Sequence, residues 1–249
     1  CLRNSLMNPI RSHEVNSTGT LVMLEAARNN LVEKFIYTSS AEVYGTGIYF
    51  PIDENHPFFP TNVYAAAKAA GELYARSYMK TFGLPIVITR LFNTYGPREQ
   101  SEGRRAEVIP KFVLRTLSGQ PSVIFGSGNQ TRDFTYIDDI VNGIVLAAES
   151  DQAVGEAINL AHGQDISVMR ILQLVLEKLG RQDLEPIFLE EGRPADIPKM
   201  VADVSKARKI LDYSADIEIE EGLVRYIDWI QNQNIDLKRW WSQEQTMNW

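Results

Sequence analysis

The chain has 249 residues, 44% of them apolar and 23% charged, which is a globular composition long enough to close a large core as one or two domains. Its formal net charge of −7 argues against a nucleic-acid-binding surface. The single cysteine, Cys1, excludes an internal disulfide and fits a cytoplasmic location, and no apolar run approaches the roughly 20 residues of a membrane span.

The first residue is Cys1 rather than Met and the sequence opens abruptly, which reads as a partial chain. Residues 17–30 carry a helical apolar pattern, and residues 34–39 are a short β-branched and aromatic run expected to form a buried strand. A long helix is expected over 61–82, stopped by Gly83 and Pro85, followed by a strand over 86–91. Further helices are expected near 108–118, 137–149, 167–179, 204–211 and 219–232, with strands near 122–125, 157–160 and 186–189. Apolar strands alternating with helices predict an α/β fold, with a parallel sheet covered on both faces. The tail from 235 to 249 is polar but holds Trp240, Trp241 and Trp249, so it is expected to pack on the body or on a partner.

The central chemical signal is Tyr64-Ala-Ala-Ala-Lys68 inside the long helix. Residues four apart share a helix face. A phenol is a poor base at neutral pH, and a nearby ammonium favours its ionised form, so the pair is suited to taking a proton from a hydroxyl. By itself the spacing also suits a solvated helix face; its context decides. Thr38-Ser39-Ser40-Ala41-Glu42-Val43-Tyr44-Gly45 directly follows the first strand. In open α/β sheets, ligands bind beyond the carboxyl ends of strands. Ser40 there is either the cap of a polar turn or a hydroxyl that relays a proton to the tyrosine. The next strand ends in a second polar cluster, Phe92-Asn93-Thr94-Tyr95-Gly96-Pro97-Arg98.

Taken together, these motifs resemble the extended short-chain dehydrogenase/reductase family, specifically its NAD-dependent nucleotide-sugar epimerases and dehydratases. The resemblance runs from about residue 5 to 230. It adds Asn16-Ser-Thr-Gly19-Thr20, Gly126-Ser-Gly-Asn-Gln-Thr-Arg-Asp-Phe-Thr-Tyr136, Arg193-Pro-Ala-Asp196 and Ala202-Asp-Val-Ser-Lys206 to the motifs above. It implies catalytic roles for Ser40, Tyr64 and Lys68. Asn16, Thr38 and Phe92 join Tyr64 and Lys68 as positions lining NAD, while Asn93, Arg132, Arg193 and Asp196 hold a nucleoside diphosphate sugar. Arginine suits diphosphate because its planar fork pairs with two oxygens. Arg132 beside Asp133, and Arg193 near Glu190 and Glu191, are equally placed for simple ion pairs.

The implied architecture is a partial doubly wound Rossmann-type sheet over 1–92 and 137–162, with a smaller mixed α/β substrate domain over 93–136 and 163–234. Family members open with a strand, a Gly-rich turn and a helix that holds the cofactor pyrophosphate. The sequence shows none, which reads either as a piece of a longer gene or as a lost cofactor site. Relatives commonly form homodimers through helices corresponding to 17–30 and 61–82.

The residues after the catalytic serine separate the reactions of the family. Retaining 4,6-dehydratases carry Asp-Glu there, and sugar-acid decarboxylases typically show Thr-Ser-Glu. This chain has Ala41 and Glu42. Alanine suits a 4-epimerase, which works through a transient 4-keto sugar and needs only Ser, Tyr and Lys. Glu42 is untypical of epimerases and keeps a dehydratase or decarboxylase open. From another class, a nucleotide-sugar-binding protein without NAD or catalysis also fits.

Overall fold

The computed structural model describes residues 2–101, 106–190 and 197–244. The chain opens with two short helices, α1 (Leu2–Met7) and α2 (Pro9–His13). The latter is started by Pro9 at its first position and by the Asn8 side chain, which accepts from the Arg11 N–H. The single helix expected over 17–30 is in fact a π-helical turn, Glu14–Thr18, running into α3 (Gly19–Asn29). A local competition accompanies the wide turn: the Asn16 amide donates to the Ser12 carbonyl at 3.0 Å, and the Thr20 hydroxyl donates to the Asn16 carbonyl at 2.7 Å.

Strand β1 (Phe35–Ser40) follows, then a 3₁₀ turn over Ala41–Tyr44. The long helix α4 (Val63–Phe82) is capped at its start by Asn62, whose side chain accepts from Ala65 N–H at 2.8 Å. It ends at Gly83 in the left-handed conformation, as the sequence predicts. Strand β2 (Ile86–Leu91) is buried along five of its six residues. After β3 (Asn93–Tyr95) come α5 (Val108–Leu117), β4 (Val123–Phe125), β5 (Thr131–Arg132), β6 (Phe134–Tyr136) and α6 (Ile137–Glu149). The remainder is β7 (Ala157–Leu160), β8 (Ile166–Ser167), α7 (Val168–Leu179), β9 (Ile187–Leu189), β10 (Lys199–Met200), α8 (Ser205–Leu211), α9 (Ile219–Gln231) and α10 (Leu237–Gln243).

The main sheet is parallel with order β1-β2-β7, and its register aligns Ser40 with Leu91 and Leu91 with Leu160. One face packs Leu24, Ala75, Ile86 and Ile88 beneath α3 and α4; the other packs Val87, Ile140, Ile158 and Leu211 against α6 and α8. Each fully buried aliphatic side chain of this kind contributes roughly 1.5–3 kcal/mol. A separate cluster joins α5, α7 and α9 through Ile109, Phe112, Leu172, Val175, Leu223 and Ile227. Small sheets β10-β5-β8, β3-β6 and β4-β9 surround it. Strands of two or three residues show no period in the sequence, so β3, β5, β6, β8 and β10 were not foreseen.

Two polar centres fix the walls of the molecule. On β2, Arg90 is buried at 2% exposure and forks onto the Glu72 carboxylate of α4 at 2.7 and 3.2 Å. The same guanidinium donates to the Tyr44 hydroxyl at 2.7 Å and to the Glu54 carbonyl at 3.1 Å. Between β5 and β6, the buried Asp133 carboxylate accepts backbone N–H bonds from His162, Gly163 and Ala202 at 3.0–3.1 Å.

Candidate active site

Tyr64, Lys68 and Glu72 recur every four residues and so share one face of α4. That face lies close to the sheet because Gly71 lacks a side chain. A Cβ there would stand 2.3 Å from the Tyr37 hydroxyl and 2.8 Å from the Asn16 carbonyl. The Tyr37 hydroxyl in turn donates to the Lys68 carbonyl at 2.9 Å, and the Ser17 hydroxyl donates to the Ala67 carbonyl at 3.0 Å. The helix, the end of β1 and the π-turn carrying Asn16 are thereby locked together.

A cavity of about 380 Å³ opens where β1 and β2 end. Of the residues singled out in the sequence, Ser40, Glu42, Tyr64, Phe92, Asn93 and Arg132 line it. Lys68, Thr38 and Asn16 stand beside it rather than in its wall. The Lys68 ammonium donates to the Thr38 carbonyl at 2.6 Å and lies 5.2 Å from the centre of the Tyr37 ring. Arg193 and Asp196 lie outside the described residues.

Ser40 caps the 3₁₀ turn, its hydroxyl accepting from the Glu42 N–H at 3.2 Å, and also lines the cavity. Glu42 is turned inward, its carboxylate accepting from the Asn62 amide at 2.9 Å. Ala41 between them is buried and brings no proton donor. Arg132 donates to the Thr131 carbonyl at 2.8 Å, and the neighbouring Asp133 carboxylate is engaged by backbone N–H groups.

The electrostatics correct one expectation. The Tyr64 phenol is held above the ordinary tyrosine value, chiefly by burial; the Ser40 hydroxyl opposes the rise, while the Glu42 and Glu107 carboxylates add to it. Burial, with the two carboxylates, thus outweighs the stabilising hydrogen bond of Ser40, and the Lys68 ammonium is directed at the Thr38 carbonyl on β1. Burial also lowers the affinity of Lys68 for its proton, against the opposing pull of Glu72.

Several lining residues were missed from sequence: Glu99, Glu107, Lys111, Arg115, Gln130 and Glu244. For Lys111 and Arg115 a signal existed. They are charges four residues apart in the otherwise apolar helix VIPKFVLRTL, on a helix buried almost all round. Glu244 gave none, because only the fold brings the tail to this wall.

The family model for GDP-mannose 4,6 dehydratase matches residues 1–226. A UDP-glucuronate 4-epimerase of Thermodesulfobacterium geofontis is 37% identical over 95% of this chain and 71% of its own length. A UDP-N-acetylglucosamine 4-epimerase from Methanobrevibacter ruminantium, solved with UDP-N-acetylmuramic acid, superposes with a TM-score of 0.88. It is 35% identical over 94% of this chain and 74% of that one. A UDP-glucuronic acid 4-epimerase from Bacillus cereus, solved with UDP-glucuronic acid and NAD, gives a TM-score of 0.81 and 34% identity over 87% and 67%. With these matches, the motif order and a tyrosine and serine meeting in one cavity, the chain belongs to the GDP-mannose 4,6-dehydratase family, the nucleotide-sugar epimerases and dehydratases among the extended short-chain dehydrogenases/reductases.

Proposed function

We propose that this protein is an NAD-dependent nucleotide-sugar 4-epimerase. The observation that carries the reading is the composition of the cavity beside β1: Ser40 and Tyr64 line it together, and the residue between Ser40 and Glu42 is an alanine that cannot donate a proton. Tyr64 takes the proton of the sugar C4 hydroxyl as the carbon is oxidised, and Ser40 bridges the two oxygens and steadies the phenolate. NAD supplies the acceptance and return of hydride. Lys68 and Asn16 fit its ribose. An ammonium carries three donors, so the 2.6 Å bond to Thr38 leaves donors for ribose hydroxyls. Phe92 offers an apolar wall to the ring. Asn93 and Arg132, with Arg193 and Asp196, are assigned to the nucleoside diphosphate. The substrate-holding residues come from 93–136 and 163–234, the catalytic ones from 1–92, and the cavity lies where the two groups meet. With NAD bound, hydride returned to the opposite face of the 4-keto sugar would complete inversion, and Tyr64 would give its proton back to the C4 oxygen with no further acid. A second copy of the chain is assigned to the α3–α4 face, where Val22, Met23 and Leu73 are exposed.

One observation favours a second reading. Glu42 points into the cavity and is held there by Asn62, as a base for the C5 proton of a 4,6-dehydratase would be. The test is to incubate the protein with NAD and a panel of nucleotide sugars in deuterated water and to identify the products by NMR and mass. A product of unchanged mass with C4 inverted and no solvent deuterium at C5 or C6, formed equally by Glu42→Gln, is expected. A product lighter by one water, or loss of activity in Glu42→Gln, overturns the epimerase in favour of the dehydratase.

A further inference from the structure

Lys111 and Arg115 stand one turn apart on α5 in the wall of the same cavity, and each is under a tenth exposed. Arg115 Nε donates to the Pro121 carbonyl at 2.8 Å, and a carboxylate for both cations comes from the far end of the chain. Glu244, just after α10, places its carboxylate 3.0 Å from the Arg115 guanidinium and 3.4 Å from the Lys111 ammonium. Trp241 lays its ring over Arg115 at 5.0 Å. Trp240 is buried, and its indole donates to the Ser101 carbonyl at 2.6 Å.

The charge in the cavity makes this arrangement informative. Among the described lining residues, three cations, Lys111, Arg115 and Arg132, share the cavity with four acids, Glu42, Glu99, Glu107 and Glu244, and burial holds the Glu99 carboxyl well above the ordinary range. A nucleoside diphosphate brings at least two negative charges, and withdrawal of one carboxylate leaves the wall more favourable to it. Glu42 is held by Asn62 next to the 3₁₀ turn, and Glu107 is fixed in the backbone at the N-cap position of α5, without a side-chain cap. Glu244 stands at the C-cap of the short helix α10, one turn beyond the Trp240 anchor, so its side chain can turn away while Trp240 stays buried.

We propose that Lys111 and Arg115 form an anion-accepting position in the cavity, that the Glu244 carboxylate occupies it as an internal ligand, and that an anionic group of the incoming nucleotide sugar, phosphate or sugar carboxylate, displaces it. The position is a specificity element: it rewards ligands whose anion reaches α5, and it charges every other ligand for leaving Glu244 in place.

The inference rests on the nucleotide-sugar reading of the cavity, and calorimetry separates the two. Wild type and Glu244→Gln are titrated with UDP, dTDP, CDP and GDP, then with UDP-glucose and UDP-glucuronate. Removing the internal competitor is expected to tighten binding roughly three- to tenfold. A gain shared by the diphosphates identifies phosphate as the displacing group, whereas a gain confined to UDP-glucuronate identifies the sugar carboxylate. Lys111→Met in the Glu244→Gln background should abolish the gain. Unchanged or weaker binding by Glu244→Gln for every ligand overturns the inference while leaving the pocket intact. Absence of nucleotide binding by folded wild type overturns both.

Discussion

Two buried carboxylates hold the two walls of the cavity, and they are satisfied in opposite ways. Glu72 in α4 meets a guanidinium: burial pushes its carboxyl up, but the Arg90 fork overcomes this and holds it below the ordinary range. Asp133 between β5 and β6 is met mainly by backbone dipoles. Burial dominates there, three backbone N–H bonds offset it in part, and its pKa is raised to about 6. The first wall presents Tyr64 and Ser40, the second Arg132 and Phe134. A full opposing charge can keep a buried acid ionised where hydrogen bonds alone leave it reluctant. The wall to which we assign the proton chemistry is the one pinned by an ion pair.

The largest effect should come from breaking that pair. Glu72→Ala leaves Arg90 buried without its carboxylate and should cost about 3–5 kcal/mol of stability, seen as a lower denaturant midpoint. Because the folded pKa of Glu72 lies below its unfolded value, its contribution is present above the unfolded value and lost as pH falls through the folded one. The variant should therefore lose less stability than wild type over that acid range.

Tyr64→Phe tests whether the well-held wall does the chemistry. It should lower turnover of the nucleotide sugar by about two orders of magnitude or more, roughly 2.7 kcal/mol, while substrate affinity changes little because the ring remains. Near-full turnover would remove Tyr64 from the mechanism.

The smallest effect is expected at the dipole-held acid. Asp133→Asn replaces one acceptor oxygen by a donor facing backbone N–H groups and should cost about 1–3 kcal/mol. Its pH signature has the opposite sign to that of Glu72. A folded pKa raised to about 6 gives a contribution that is present below the unfolded value, near 3.9, and is lost as pH rises toward 6. Wild type should lose stability across that window relative to Asp133→Asn. Parallel pH profiles for the two proteins would show that Asp133 does not carry that loss.

Legibility in the sequence followed the length scale of each interaction. The strands expected over 34–39, 86–91 and 157–160 and the helix expected over 61–82 were readable because their apolar runs and the Gly83 stop act within a few residues. Tyr64 and Lys68 were readable for the same reason: four-residue spacing fixes a shared face. The π-turn was not, since 17–30 carries an ordinary helical pattern and the turn depends on how Asn16 and Thr20 spend their hydrogen bonds. Lys111 and Arg115 left a trace as charges in an apolar helix, but nothing local said that they face a ligand cavity.

The sequence by itself determined the α/β alternation, the extent of the main elements and the presence of a tyrosine–lysine face following a serine-bearing strand end, because backbone periodicity and capping are short-range. Only the tertiary structure decided that Tyr64 is governed by burial and Ser40 more than by Lys68, that Glu42 turns inward onto Asn62, and that Asp133 serves backbone amides while Arg132 faces the cavity. It also decided that Glu244 closes on Lys111 and Arg115. Each of these depends on desolvation and on charges brought together from distant parts of the chain, and both quantities exist only once the walls have met.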